Sequence, residues 1–435
     1  MKKSKISQLL TVTTILGCSI CNLHADNSPI INADNSVTFN LHAPDADEVV
    51  LKGSIFPQKN YVESKSVTFG KEGSVKMTRE GDVWTYTSPS LPSDLYSYSY
   101  IVDDDPMSDP DNKNRYRDIG DTINYFIIKG GIGDTFAQQN VPHGRVEKVW
   151  YPSKLDGMPK RRMTVYLPAA YSGSPSKRFP VLYLLHGSGG DENSWSDAGR
   201  AVQILDNMIA SGKCEPMIVV MPNGNVNLAA APGEDPDNPN VKPSANNTSS
   251  MLGKIESVFM DDVVGYVDSH YRTYNDKAHR AIAGLSLGGL HALYTSLNNP
   301  QSFDYIGLFS AQTTNALGEK SIGAMQQVGD AWRQLKKNLP FLGGRGMDKT
   351  ISKYTSDELS IYDNLDVKLR YQFKNPPKLY YIAVGRDDFV KKLNDDYRKK
   401  LDAGNYKYYY NETDGGHTWT NWRHYLVDFL PRLFK

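Results

Sequence analysis

Three residues far apart along the chain have the types and order needed for nucleophilic catalysis. Ser286 sits in Gly284-Leu285-Ser286-Leu287-Gly288, between the apolar run Ala281-Ile282-Ala283 and a helix-like stretch at 289–297. A serine on a sharp strand-to-helix turn exposes its hydroxyl, and the flanking glycines relieve the crowding there. That hydroxyl attacks poorly until a base takes its proton, and the imidazolium so formed needs an anionic partner. Downstream, Gly385-Arg386-Asp387-Asp388 closes an apolar run, and Asp414-Gly415-Gly416-His417-Thr418-Trp419 follows a later one. In the order nucleophile, acid, base, His417 is the expected base and Asp388 the expected acid. Asp387 is the alternative, although it is also placed to cap the helix that follows. Negative charge developing on an attacked carbonyl oxygen needs N–H donors. The expected pair is Leu287, directly after the nucleophile, and Ser188 in Leu185-His186-Gly187-Ser188-Gly189-Gly190. Trp195 and Trp419 are candidate substrate contacts, with ordinary packing the competing role for Trp195. This set calls for no cofactor and no metal.

Such residues must be held at one rim of a sheet. From 131 onward, strand-like runs alternate with helix-like ones: Met163–Leu167, Val181–Leu185, a helix at 199–211, Met217–Met221, a helix at 259–270, Ala281–Ala283, Ile306–Phe309, Leu379–Val384 and Tyr406–Tyr410. Continuous apolar strands between helices predict an α/β fold with a mostly parallel sheet covered on both faces. After Asp388, Phe389, Leu393, Tyr397 and Leu401 repeat every four residues, as one face of a helix. Two segments interrupt the pattern, 230–250 and 312–377, and loops so long are commonly lids or binding loops.

From about 30 to 128 the texture is different, with short alternating strands and no helical period. An all-β sandwich at 26–130 is expected, ending at Gly130-Gly131-Ile132-Gly133, with the α/β unit at 131–435. Trp84, Tyr96, Tyr98 and Tyr100 have spacing that suits a packed sheet better than a sugar-facing surface. The aspartate-rich stretch at 103–114 fails as a calcium loop. Counting from Asp109, the sixth position is Asn114 and the twelfth Gly120, where glycine and glutamate are required. A solvated turn is expected there.

The 435 residues carry 49 Lys+Arg and 49 Asp+Glu, so a nucleic-acid partner has no electrostatic support. No apolar run past the N-terminus is long enough to span a membrane. Lys2, Lys3 and Lys5, an apolar stretch from Leu9 to Ile20 and the small residue Ala25 read as an export signal at 1–25. Ile15-Leu16-Gly17-Cys18 is also similar to a lipobox, which would make Cys18 a lipidated terminus. Of 3 cysteines only Cys214 lies beyond this segment, so no internal disulfide is expected to hold the exported body.

Taken together, Tyr166-Leu167-Pro168, Pro180 to Gly187, Met221-Pro222-Asn223-Gly224, Gly284 to Gly289, Gly385 to Asp388 and Gly416 to Trp419 resemble the esterase D superfamily and carbohydrate esterase family 1. Phe39 to Ala46, Gly81 to Trp84, Leu95 to Asp103 and Asp109 to Asn112 resemble family 48 carbohydrate-binding, E-set modules. The resemblance implies an α/β-hydrolase that removes feruloyl or acetyl groups from plant xylan or arabinoxylan without a metal. The 312–377 segment departs from it. Two other readings stand beside it: a catecholate siderophore triester hydrolase of the same fold, against which no Arg/Lys cluster is evident, and a carbohydrate-binding protein with an inactive esterase body.

Overall fold

The alternating and the continuous apolar runs build different sheets. The computed structural model describes residues 28–56, 73–173, 175–240, 253–313 and 361–435. The expected export signal with Cys18, the end of the 230–250 segment and most of 312–377 lie outside them.

The first part is all β: β1 (Ile30–Ile31), β2 (Val37–His42), β3 (Val49–Gly53), β4 (Ser74–Lys76), β5 (Thr78–Glu80), β6 (Val83–Thr87), β7 (Asp94–Val102), β8 (Asp105–Met107), β9 (Arg115–Asp118) and β10 (Asp121–Ile128). They form two antiparallel sheets, ordered β1-β2-β6-β5 and β4-β3-β7-β10-β9, with β8 beside β7. Alternate residues of β2 (Val37, Phe39 and Leu41) face inward against Trp84, Tyr98, Tyr100 and Phe126. Each such side chain contributes about 1.5–3 kcal/mol by leaving water. Trp84 Nε1 donates to Ala43 O at 3.1 Å, so the tryptophan is part of this core.

The aspartate-rich stretch is not simply solvated. Asp109 is fully buried, and its carboxylate accepts bonds from Tyr98 OH (2.7 Å), Tyr100 OH (3.2 Å) and Ser28 Oγ (2.7 Å). These tyrosines are core rings whose hydroxyls need a partner, and Asp109 supplies it.

The second part is an eight-stranded sheet ordered β11-β12-β14-β13-β15-β16-β17-β18. Its strands are β11 (Arg145–Pro152), β12 (Lys160–Leu167), β13 (Val181–Leu185), β14 (Ile218–Pro222), β15 (Arg280–Leu285), β16 (Tyr305–Phe309), β17 (Leu379–Gly385) and β18 (Tyr409–Thr413). From β14 through β18 neighbouring strands are parallel, and β13 to β16 are wholly buried. The main helices are α1 (Ala201–Ala210), α2 (Lys254–Phe259), α3 (Gly265–His270), α4 (Leu287–Asn298), α5 (Leu365–Gln372), α6 (Lys391–Ala403) and α7 (Trp419–Phe429). Separate apolar cores lie on the two sheet faces. One of these includes Leu95 and Tyr116 of the sandwich, so the two parts share a core.

Several elements depart from the sequence reading. β11 was not evident because it is a polar edge strand, mostly accessible to solvent. The helix expected from 259 begins at Lys254 and passes through a π turn at Met260–Val264. β18 starts three residues late: Asn405 has φ 52°, and Tyr406 N still bonds Leu401 O at 2.9 Å, closing α6. Phe389 precedes α6 rather than joining its buried stripe.

Candidate active site

Ser286 links β15 to α4 with φ 53° and ψ −118°, a backbone state that costs a side-chain-bearing residue about 1–3 kcal/mol. Neighbours hold it there: Ser286 N donates to Phe309 O (2.9 Å), and Gln312 N donates to Ser286 O (3.1 Å). The flanking glycines are sterically required. A Cβ at Gly284 would lie 2.3 Å from Gly288 O, and one at Gly288 would lie 2.3 Å from His186 O.

Asp388 follows β17 and His417 follows β18, so both arise at the same end of the sheet as Ser286. His417 Nδ1 lies 2.9 Å from Asp388 Oδ1 and 3.1 Å from Oδ2, and both side chains are buried. A proton on Nδ1 leaves Nε2 as the acceptor nitrogen. Asp388 Oδ1 also accepts Val390 N at 3.0 Å, which fixes the carboxylate. Asp387 is exposed. The imidazole packs between Phe389 (4.3 Å between centroids) and Trp422 (5.0 Å).

Ser286 and His417 line one cavity of about 510 Å³. Ser188, Trp419 and Trp422 join them, and the sandwich supplies Lys52, Tyr116, Asp118 and Asp121. Burial and the neighbouring Asp121 hold the Asp118 carboxyl above the usual carboxylate range. Leu287 is the first residue of α4, where backbone N–H groups have no partner within the helix. Trp195 does not line the cavity. It is 1% exposed, donates from Nε1 to Leu185 O at 2.9 Å and meets the Trp419 ring edge-on, so its expected substrate contact is corrected to packing beneath the site.

In the sequence His186 stands only as a member of the loop that carries Ser188. The structure makes it a strut. Nδ1 lies 2.7 Å from Gly187 O, and Gly224 N donates to Nε2 at 2.7 Å, tying the Ser188 loop to the loop after β14. Burial lowers this imidazole to about 4, consistent with a neutral ring donating from one nitrogen and accepting at the other. Glu192 braces the same loops by accepting Asn223 Nδ2 and Ala231 N, each at 2.9 Å, and burial raises its carboxyl to about 7. Arg117 of the sandwich pairs with the buried Asp191 at 2.5 Å. His186, Asn223 and Gly224 stood in recognisable motifs, but Glu192, Asp191 and Arg117 did not, because contacts spanning tens of residues leave no local pattern.

A parallel sheet under helices, with a strained serine at a strand–helix turn and a carboxylate–imidazole pair on the neighbouring loops, defines an α/β-hydrolase. The chain belongs to the Esterase family, whose match spans residues 158–433. It is 30% identical over 295 residues to an endo-1,4-beta-xylanase/feruloyl esterase of Xylanibacter ruminicola, covering 66% of this chain and 36% of that protein. It is 26% identical over 302 residues to endo-1,4-beta-xylanase Y of Acetivibrio thermocellus, covering 67% of this chain and 23% of that protein. The chain thus spans well under half the length of either relative. The enterobactin esterase of Shigella flexneri shares the fold at 16% identity and a TM-score of 0.56, over 91% of this chain and 92% of that one.

Proposed function

We propose that the chain is an exported serine esterase that hydrolyses feruloyl or acetyl esters on plant cell-wall xylan or arabinoxylan. The observation that carries this reading is the buried Asp388–His417 pair, set with Ser286 on a cavity whose facing wall is the sandwich. Ser286 Oγ attacks the ester carbonyl while His417 Nε2 takes its proton, and Asp388 stabilises the imidazolium. The N–H groups of Leu287 and Ser188 hold the oxyanion. When the tetrahedral intermediate collapses, the bond to the sugar oxygen breaks and His417 protonates that oxygen. Water then attacks the acyl-enzyme, giving a proton to His417; release of the acid returns that proton to Ser286.

The relatives named as xylanase and feruloyl esterase support the substrate class. The basic, then apolar, leading segment supports export. A catecholate triester is a poorer fit, because Lys52 is the only lysine or arginine among the described residues lining the cavity, and Asp118 and Asp121 face the same space. Methyl ferulate and acetylated xylan, assayed with wild type and Ser286→Ala, test the proposal. The variant is expected to lose at least about 10³-fold in kcat. Equal turnover by both proteins would remove Ser286 as nucleophile, and xylan binding without any turnover would favour the non-catalytic reading.

A further inference from the structure

The hairpin that joins β9 to β10 turns at the cavity of Ser286. Asp118 and Asp121 pair across the ladder, and Ile119 and Gly120 make the two-residue turn between them. All four residues line the cavity that also holds Ser286 and His417. Ile119 has φ 54°, a left-handed state that a β-branched residue rarely adopts. Arg117 holds it there. Its Nη1 donates to Ile119 O at 2.8 Å, and its Nη2 donates to the buried Asp191 carboxylate in the loop after β13. The tip of the hairpin is thereby tied to the loop that carries Ser188.

His417 stands on the side of the departing alcohol, since Nε2 gives that oxygen its proton. The wall beyond it is aromatic. Trp422 meets the imidazole edge-on at 5.0 Å, and Trp419 meets Trp422 edge-on at 5.1 Å. Both indoles line the cavity, at 7% and 8% exposure. Trp422 Nε1 has no hydrogen-bond partner among the described residues. Asp118 ends the row: burial raises its carboxyl, while the Trp419 indole N–H beside it acts in the opposite direction. A sugar presents apolar C–H faces and several hydroxyls, and this wall answers with indole faces, an N–H donor and a carboxyl. A methyl group engages neither polar partner.

We infer that Asp118 of the sandwich, together with Trp422, recognises the alcohol half of the ester and selects esters of polyhydroxy alcohols over simple alkyl esters. The inference rests on the esterase reading and deepens it. It concerns a single ester bond, whichever acyl group is removed and whether or not the sandwich holds a polymer. A site built to bond a hydroxyl rejects the analogue that lacks one, because its own polar groups are then left without partners.

The test compares kcat/KM for the arabinose and methyl esters of ferulate, and for the same pair of acetates, in wild type, Asp118→Ala, Asp118→Asn and Trp422→Phe. Within each pair the acyl group is constant. The sugar-to-methyl ratio is expected to fall about tenfold in Asp118→Ala, mainly through KM for the sugar ester, and to be retained in Asp118→Asn, which keeps a hydrogen-bonding oxygen. If circular dichroism shows that Asp118→Ala does not fold, Trp422→Phe carries the comparison, because it keeps a ring and loses the N–H; its ratio is expected to fall as well. In a folded variant, an equal loss on both esters would overturn the inference, since the side chain would then serve only to hold the site together. An unchanged ratio would overturn it too. No turnover of any of the four esters by wild type would instead defeat the esterase reading itself, so the two failures are told apart.

Discussion

At the scale of single residues, the two adjacent aspartates separate most sharply. Asp388 is bonded to His417 Nδ1 and to Val390 N, while Asp387 is exposed. Asp388→Asn is therefore expected to lower kcat on methyl ferulate by about 10³–10⁴-fold with little change in KM. Asp387→Asn should stay close to wild type, and the reverse ranking in steady-state kinetics would reassign the acid. The placement of Ser286 and Asp388 was legible in the sequence because each follows an apolar run that forms a buried strand, and that of His417 because glycines flank it in the loop after β18. Trp195 misled for a physical reason: an aromatic residue in a motif-bearing loop packs inward as readily as outward. Phe389 misled because a stripe at spacing four does not say where its helix begins.

At the scale of elements, two loops carry buried groups with opposite pH responses. His186 is lowered to about 4 from 6.5, so between these values the unfolded chain binds a proton that the folded chain refuses. Stability from this group falls as pH drops through that window. Glu192 is raised to about 7 from 4.5, so the folded chain keeps a proton that the unfolded chain has lost. Stability from this group falls as pH rises through its own window. The slopes oppose each other between about pH 5 and 6.5. Urea midpoints at pH 5 and 6.5 should therefore be lower at pH 5 in Glu192→Gln, and lower at pH 6.5 in His186→Asn. The same slope in both variants would contradict the assignment. The buried strands β13 to β16 were legible as continuous apolar runs. β11 and the start of β18 were not, since edge exposure and helix closure are settled by neighbours rather than by local pattern.

At the scale of the whole molecule, sandwich and hydrolase share one apolar core. Arg423 of α7 is 1% exposed and donates to Ala198 O (2.9 Å) and Leu95 O (3.2 Å), reaching from the helix after His417 into the sandwich. A single calorimetric transition is expected, because Leu95 and Tyr116 complete a core they share with the large sheet. Arg423→Ala should lower stability by about 2 kcal/mol or more, by leaving buried carbonyls without a donor. Two separated transitions in the wild type would show that the sandwich folds as an appendage. Sequence texture carried no sign of this joint, which is made of single side chains drawn from distant stretches. The joint bears on engineering and on descent. Exchanging the N-terminal part for that of a relative would replace nearly half the lining of the cavity that holds Ser286 along with the attachment, so recombination here rebuilds the cavity instead of adding a detachable accessory.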